Sequence, residues 1–487
     1  MQVIAKQHRV KNMGGVYTPF AIVQEMLDYL TFNGTDILSK HIMENSCGDG
    51  AFLSEIVHRY CDAFVSIANN DLSRLKHDLE TYIHGIELDR DECAKCIKRL
   101  DRIALQYGIK DVVWDVVNED ALTVNKYDNK MDFVVGNPPY VRVHNLENYD
   151  LAKKFSFAQD GMIDLYLVFI ELGLRQLNQN GRMCLITPSS FMTSKSGKNC
   201  RACINKNKKL SMVVDLGQEQ VFDGISAYTA ITLFDNSISH DEIRYVEHST
   251  KDSFDLSYDT VFKHGTMSFD DEDTLKLLSD IDSFYKDQVQ RSIVVKNGFA
   301  TLADTCFMQD FTSSEKIYID VVKASTGKWT KCLFPYVFPG VPMEESFIKQ
   351  NFASAFAYLQ SFKDKLEKRS IDSAGNWYRF GRSQGIKDVF KNKVSINTLI
   401  KDENSIKLID VPAGSGVYSG LYILSDYGFD DIKRVVYDPK FIKYVKALKK
   451  YKSGGYFTFS SLDLEKYLTY MLKGDTQDAK RQLRLFG

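Results

Sequence analysis

The chain has no apolar run approaching the ~18 residues needed to cross a bilayer, which excludes a membrane-spanning helix. Its opening stretch, MQVIAKQHRVKNMGG, has basic residues but lacks the apolar core of a secretory leader, so a cytoplasmic protein is expected. Cysteine is sparse, nine scattered residues in 487, an odd number that argues against a disulfide framework. Two pairs have two-residue spacing, Cys93/Cys96 and Cys200/Cys203. Both fall in stretches of helical periodicity without the glycine knuckles of a zinc ribbon, so ordinary thiols and no metal are expected. Internal repeats and low-complexity tracts are also missing.

What is present is an ordinary globular mixture, 44% hydrophobic and 26% charged, long enough for two or three domains. The net charge of −2 conceals an asymmetry. Residues 285–487 hold 32 Lys and Arg against 22 Asp and Glu, net +10, which leaves 30 against 42, net −12, for residues 1–284. A basic portion joined to an acidic one suggests a polyanion-binding module attached to a different activity.

Residues 1–235 alternate two periodicities. Strand-like runs occupy 41–45, 82–88, 112–117, 131–135, 182–187, 212–216 and 229–234, with helical patterns over 20–30, 51–60, 71–81, 91–107 and 164–178. Apolar strands separated by amphipathic helices predict a mostly parallel sheet covered on both faces, with ligands at the strands' carboxyl ends. The acidic stretch 236–284 reads as a peripheral strand or two and a connecting helix. Beyond 285 come short strands, aromatic loops and late helices at 440–451 and 461–472. The expected domains are 1–245, a connector over 246–284, and 285–487.

The most informative residues are Asn137, Pro138, Pro139 and Tyr140, directly after the run MDFVVG. Two prolines remove two backbone donors and leave the Pro138 carbonyl able to face a ligand. An amide oxygen beside that carbonyl, under an aromatic ring, can hold a flat molecule bearing an exocyclic NH2. Taken alone, the tetrapeptide would be a strand-ending turn. Upstream, Glu44 precedes the turn Gly48-Asp49-Gly50, where glycine permits close backbone approach. Glu87 ends a second strand, placed to grip ribose hydroxyls, and Asp120 follows a third, placed to accept from an adenine amino group. Each acid alone is an ordinary solvated carboxylate; three in succession, followed by the proline loop, form a constellation. Thr18 and Pro19 read as an N-cap and first helical residue.

In this order the segments GVYTP, ENSCGDGAFL, GIELD, NEDAL, GNPPY and DLYLVFIELGLRQLNQNGRMCLITPSSFM resemble the gamma class of S-adenosyl-L-methionine-dependent DNA adenine-N6 methyltransferases. The resemblance covers roughly residues 14–235, with echoes in VKNGFATLAD and NWYRFGRSQG. It implies a Rossmann-like catalytic domain and an α+β target-recognition domain. The substrate implied is double-stranded DNA, whose adenine is flipped out and methylated at N6. Tyr17, Thr18 and Pro19 would flank the methionine moiety of the cofactor, Glu44 would face its amino group, Glu87 its ribose, and Asp120 its adenine. Asn137, Pro138 and Tyr140 would hold the target base, with Phe222 at its opposite edge, although a core phenylalanine has the same local pattern. The family often has proline after the first acid, where this chain has Asn45, and the interval from Glu44 to Glu87 leaves room for an extra helix.

In the basic portion, Trp377, Arg379, Arg382 and Gln384 interleave aromatic, cationic and amide groups suited to base edges. Lys443, Lys446, Lys449, Lys450 and Lys452 form either a phosphate-facing edge or a solvated face. The resemblance implies a monomer that is the modification half of a restriction-modification system. With no PD…(D/E)xK cluster in view, any cognate endonuclease is expected to be a separate protein. Two other readings stay open: an RNA or protein-glutamine methyltransferase using the same loop, and a DNA-binding protein with an inactive core.

Overall fold

The computed structural model describes residues 17–67, 71–142, 149–159, 163–219, 222, 228–263, 265–289, 292–308, 317–371 and 376–485. The chain divides into two units, Met1–Asp271 and Glu272–Gly487. This differs from the expected connector over 246–284. Strands Glu242–Glu247 (β8) and Ser253–Ser257 (β9) close the first unit's sheet, whereas helix Glu272–Lys286 packs its Ile281 into a core of the second unit.

The first unit is built on a nine-stranded sheet. Its other strands are β1 (Ile42–Glu44), β2 (Ile83–Ile86), β3 (Asp115–Val117), β4 (Met131–Gly136), β5 (Leu177–Pro188), β6 (Leu210–Asp215) and β7 (Thr229–Asp235). The spatial order is β3-β2-β1-β4-β5-β7-β6-β8-β9. The first five are parallel to their neighbours, and β7 runs antiparallel between β5 and β6. The chain builds outward from β1 to β3, then returns to the far side of β1 as β4. The switch point therefore lies between β1 and β4, where an open α/β sheet leaves a crevice beyond its carboxyl ends.

Helices α1 (Phe20–Tyr29), α2 (Ala51–Ser66), α3 (Leu72–Tyr82) and α4 (Arg90–Gln106) contribute to one large core with the strands. Their apolar residues recur at helical spacing, as in Ile22, Val23, Met26 and Leu27, all buried. The last two start where an aspartate accepts from first-turn amides: Asp71 from Arg74 N, and Asp89 from Asp91 N and Glu92 N. Helix α5 (Leu165–Gln176) is buried nearly all round. Gly173 lets it approach the sheet, since a Cβ there would meet Met183 Sδ at 2.4 Å. The extra helix between Glu44 and Glu87 is α3, which precedes β2.

The second unit is α+β. A four-stranded antiparallel sheet runs in the order Ile293–Asn297, Leu421–Ser425, Lys393–Ile396, Leu408–Val411. Helices Glu272–Lys286 and Ser461–Leu485 are joined by Lys466–Asp282 (2.7 Å) and pack with that sheet. A second core gathers around Phe299, Phe307, Tyr336 and Phe380, beside a three-stranded sheet of Tyr318–Lys323, Lys328–Leu333 and Gly416–Tyr418. Counted over Glu272–Gly487, the unit has 33 basic and 26 acidic residues, net +7, which leaves −9 for the first unit.

Candidate active site

At the carboxyl end of β1, Glu44 is 3% exposed, and its Oε2 accepts from Leu53 N in the first turn of α2 at 3.2 Å. Burial pushes its carboxyl well above the usual range, reinforced by Cys96, while the Leu53 amide works the other way. Next comes the glycine turn. Gly48 and Gly50 have φ of +52° and +85°, a region that favours glycine. A Cβ on Gly48 would meet nothing within 4 Å, so the backbone is open on that side. A Cβ on Gly50 would come 2.7 Å from Cys96 Sγ. Backbone conformation favours glycine at both positions, and at Gly50 packing against α4 adds a second reason.

Glu87, after β2, braces this turn. Its Oε2 accepts from Gly48 N (2.7 Å) and its Oε1 from Asp89 N (2.8 Å). Asn118, after β3, donates to the carbonyls of Glu87 and Leu88, both at 2.9 Å, and so joins the second and third strand ends. Asp120 lies two residues farther on and accepts from Leu122 N at 3.0 Å. Glu87 and Asn118 thus tie the glycine turn to the second and third strand ends in spite of the α3 insertion.

The proline loop follows β4, the strand beside β1. Ser46 Oγ donates to Asn137 O at 3.3 Å, and a Cβ on Gly136 would lie 3.7 Å from Glu44 Cγ. Asn137 Nδ2 donates to Thr18 Oγ1 at 3.2 Å. Because the amide is planar, this bond sets its rotation and turns Oδ1 the opposite way. Tyr140 is anchored by its hydroxyl, which donates to Ile186 O at 3.1 Å, and its ring meets Phe222 edge-on at 6.1 Å between centroids. Burial raises its phenol pKa well above the usual range, so the ring is a neutral surface. Phe222 is 2% exposed and belongs to the core as well as to this aromatic contact.

Thr18 is not the helix cap expected from Thr-Pro. Pro19 holds that position with φ −57° and ψ 141°, because its carbonyl accepts from Ile22 N and Val23 N. The Thr18 hydroxyl serves Asn137 instead. Tyr17 is 43% exposed, with its hydroxyl donating to Glu92 Oε2 at 3.1 Å. Nothing in local sequence signals the Thr18–Asn137 contact, which spans 119 positions. Asn45, standing where the family often has proline, is buried and donates to Gln176 Oε1 at 3.3 Å. Gln220 and Val221 lie outside the described residues. Cys93 and Cys96 sit on α4, and Cys200 and Cys203 on helix Lys198–Asn207. Among the described residues no group of His, Cys, Asp and Glu has a metal-binding arrangement.

In the second unit, the two segments echoed in the sequence lie against each other. Ala300 and Arg382 form an antiparallel bridge, Gly381 N donates to Thr301 O, and Phe299 stacks on Phe380 at 4.9 Å. Arg382 donates to Ser370 O and Gly381 O, and Gln384 donates to Gly298 O at 3.3 Å, with Gln384 exposed. Trp377 meets Phe356 edge-on and has Lys363 over its ring. Arg379 is partly buried. Arg369, which sequence reasoning passed over, holds the segment together by donating to the carbonyls of Thr301, Trp377 and Arg379. Of the lysine row, Lys450 pairs with Asp463 and Lys446 lies over Phe457.

Comparison with known proteins fits this arrangement. RM.Eco57I of Escherichia coli, a type II restriction enzyme and methyltransferase, is 25% identical over 485 residues, covering 77% of this chain and 48% of its own. M.BstVI of Geobacillus stearothermophilus, a type II methyltransferase, is 31% identical over 239 residues, covering 46% of this chain and 42% of its own. The chain thus spans about half the length of these curated relatives. Among solved structures, the type IIL restriction-modification enzyme MmeI in complex with DNA shares the fold, with a TM-score of 0.63 at 14% identity. That match covers 93% of this chain and 68% of the other. Residues 62–222, which hold β2 to β6 and the proline loop, match the family model described as Eco57I restriction-modification methylase.

Proposed function

We propose that this chain is a site-specific DNA methyltransferase that transfers a methyl group from S-adenosyl-L-methionine to N6 of an adenine flipped out of double-stranded DNA. The observation that carries the reading is the Asn137–Pro138 pair at the end of β4, with its amide rotation set by Thr18, next to buried Glu44 at the end of β1. The donor set fits the cofactor. Glu44 offers a carboxyl to an ammonium group, the Gly48 backbone is open to close approach, and Glu87 and Asp120 stand at the next two strand ends. The cofactor supplies a methyl group already activated on its sulfonium.

The chain's own residues position the acceptor. The Asn137 side-chain oxygen and the Pro138 carbonyl accept from the adenine amino group, draw its nitrogen toward tetrahedral geometry and localise its lone pair. The gain is orientation and dipoles aimed at charge developing on nitrogen. Tyr140 provides the face on which the extruded base stacks, replacing part of the stacking lost from the duplex. The net +7 of the second unit favours a polyanionic partner over a protein glutamine amide. A cognate endonuclease belongs to the same proposal, as does a cytoplasmic site of action; RM.Eco57I carries both activities in its name.

Asn137→Ala tests the reading. Labelled methyl transfer to DNA should be abolished while DNA and cofactor binding persist, and the labelled base in wild-type product should be N6-methyladenine. Wild-type turnover by the variant, or label on another base or on protein, refutes the assignment.

A further inference from the structure

His248 follows β8 directly, far in sequence from every site residue, yet it joins two elements that frame the site. Its Nδ1 lies 2.8 Å from Glu219 Oε2, and its Nε2 lies 3.1 Å from Glu25 Oε2. Glu25 is on α1, the helix that begins immediately after Tyr17, Thr18 and Pro19. Glu219 is in the turn after β6, closed by its own amide donating to Leu216 O at 2.9 Å, and Phe222 stands three residues on. The His248 backbone is fixed as well, its amide donating to Asp215 O at 3.0 Å.

The chemistry of the ring makes the bridge conditional. A neutral imidazole donates from one nitrogen only and would turn a lone pair toward the other carboxylate, whereas the imidazolium donates from both. Glu25 also accepts from the Tyr29 hydroxyl at 2.6 Å and lies 3.8 Å from Lys251 Nζ. Asp215, whose carbonyl accepts from the His248 amide, has its carboxylate engaged by the Tyr245 hydroxyl at 2.9 Å and by Gly217 N at 2.8 Å. The side chains of His248 and Glu25 are 17% and 24% exposed, so the pair is shielded from bulk solvent without being sealed from protons.

We infer that His248 is a positioning residue, its ring tying the helix behind Tyr17–Pro19 to the turn before Phe222 so that the two walls of the site keep a fixed separation. The inference rests on the methyl-transfer reading above and concerns how that site is held. Misplacement of a reacting group by about an ångström can cost on the order of a hundredfold in rate. The bridge works through α1 and Thr18 on one side and through Phe222 and Tyr140 on the other.

The test uses the full chain with labelled cofactor and unmethylated genomic DNA. His248→Gln, which can donate to only one carboxylate at a time, should run about ten- to a hundredfold slower in kcat, with the KM for DNA little changed. Glu219→Ala removes one partner of the same ring, so it should lower kcat in the same direction and add little when combined with His248→Gln. Backbone hydrogen exchange without cofactor gives a second readout: protection over 20–29 and 215–219 should fall in His248→Gln. Wild-type kcat and protection in His248→Gln would overturn the inference while leaving the methyltransferase reading intact. If wild type methylates no DNA, that reading fails, and the exchange comparison alone decides whether His248 joins the two elements.

Discussion

Glu44→Gln separates what the buried carboxyl costs the fold from what it gives the ligand. The folded-state pKa of Glu44 is raised by burial, and in the unfolded chain it titrates near the ordinary value of about 4.3. Below that value both states are protonated and Glu44 has no effect on folding. As pH rises past it, the unfolded chain releases the proton first, so stability is lost progressively until the folded carboxyl ionises. Glutamine removes this penalty and can still accept from Leu53 N. The variant should therefore melt higher than wild type at pH 8 without cofactor, and the two curves should converge toward pH 4. Cofactor binding should move the other way. A charge-assisted hydrogen bond contributes about 1.5–3 kcal/mol, so calorimetric titration should show S-adenosyl-L-methionine bound roughly ten- to 150-fold more weakly. Wild-type affinity should itself rise with pH, since an ammonium partner favours the carboxylate. Equal affinity at pH 8, or a wild type more stable than the variant there, would refute the placement of Glu44 as an ammonium-facing group.

The glycine turn gives a contrast. Gly50→Ala places a Cβ against Cys96 Sγ at positive φ and should lose about 2–4 kcal/mol in urea denaturation, whereas Gly48→Ala, with open space around it, should lose about 1 kcal/mol and mainly weaken cofactor binding. In the second unit, Arg369→Lys cannot serve the carbonyls of Thr301, Trp377 and Arg379 together. It should destabilise that unit by about 2–4 kcal/mol, seen as an earlier near-ultraviolet circular dichroism transition, and weaken DNA binding more than cofactor binding.

The first unit was legible because its signals are local and periodic. Every strand read from residues 1–235 is present, and adjacency of Glu44 and Asn137 follows from the parallel alternation once β4 lies beside β1. Glu87 reaches Gly48 although α3 intervenes, because an insertion before β2 does not alter the register of β2 on β1. Thr18 was misread because the Thr-Pro pattern suits a cap, and only the fold brings Asn137 to its hydroxyl. His248 carried no signal, since its partners lie 29 and 223 positions away. The second unit was legible mainly in its charge and its two late helices. Its strands are short and find distant partners, as when Ile293–Asn297 pairs with Leu421–Ser425.

On the proposed DNA-methyltransferase reading, the junction of 298–301 with 381–385 decides what could be exchanged as one piece between related chains. Gln384 is presented by a segment whose Arg382 amide bonds Ala300 and whose Gly381 and Gly385 close on Leu302 and Phe299, where a Cβ would approach within 2.4 and 2.9 Å. A graft of 376–385 alone would arrive without its counterpart, leaving polar backbone uncovered and a loop free to choose another path. The transferable cassette is composite: both segments, with Arg369 as their clasp.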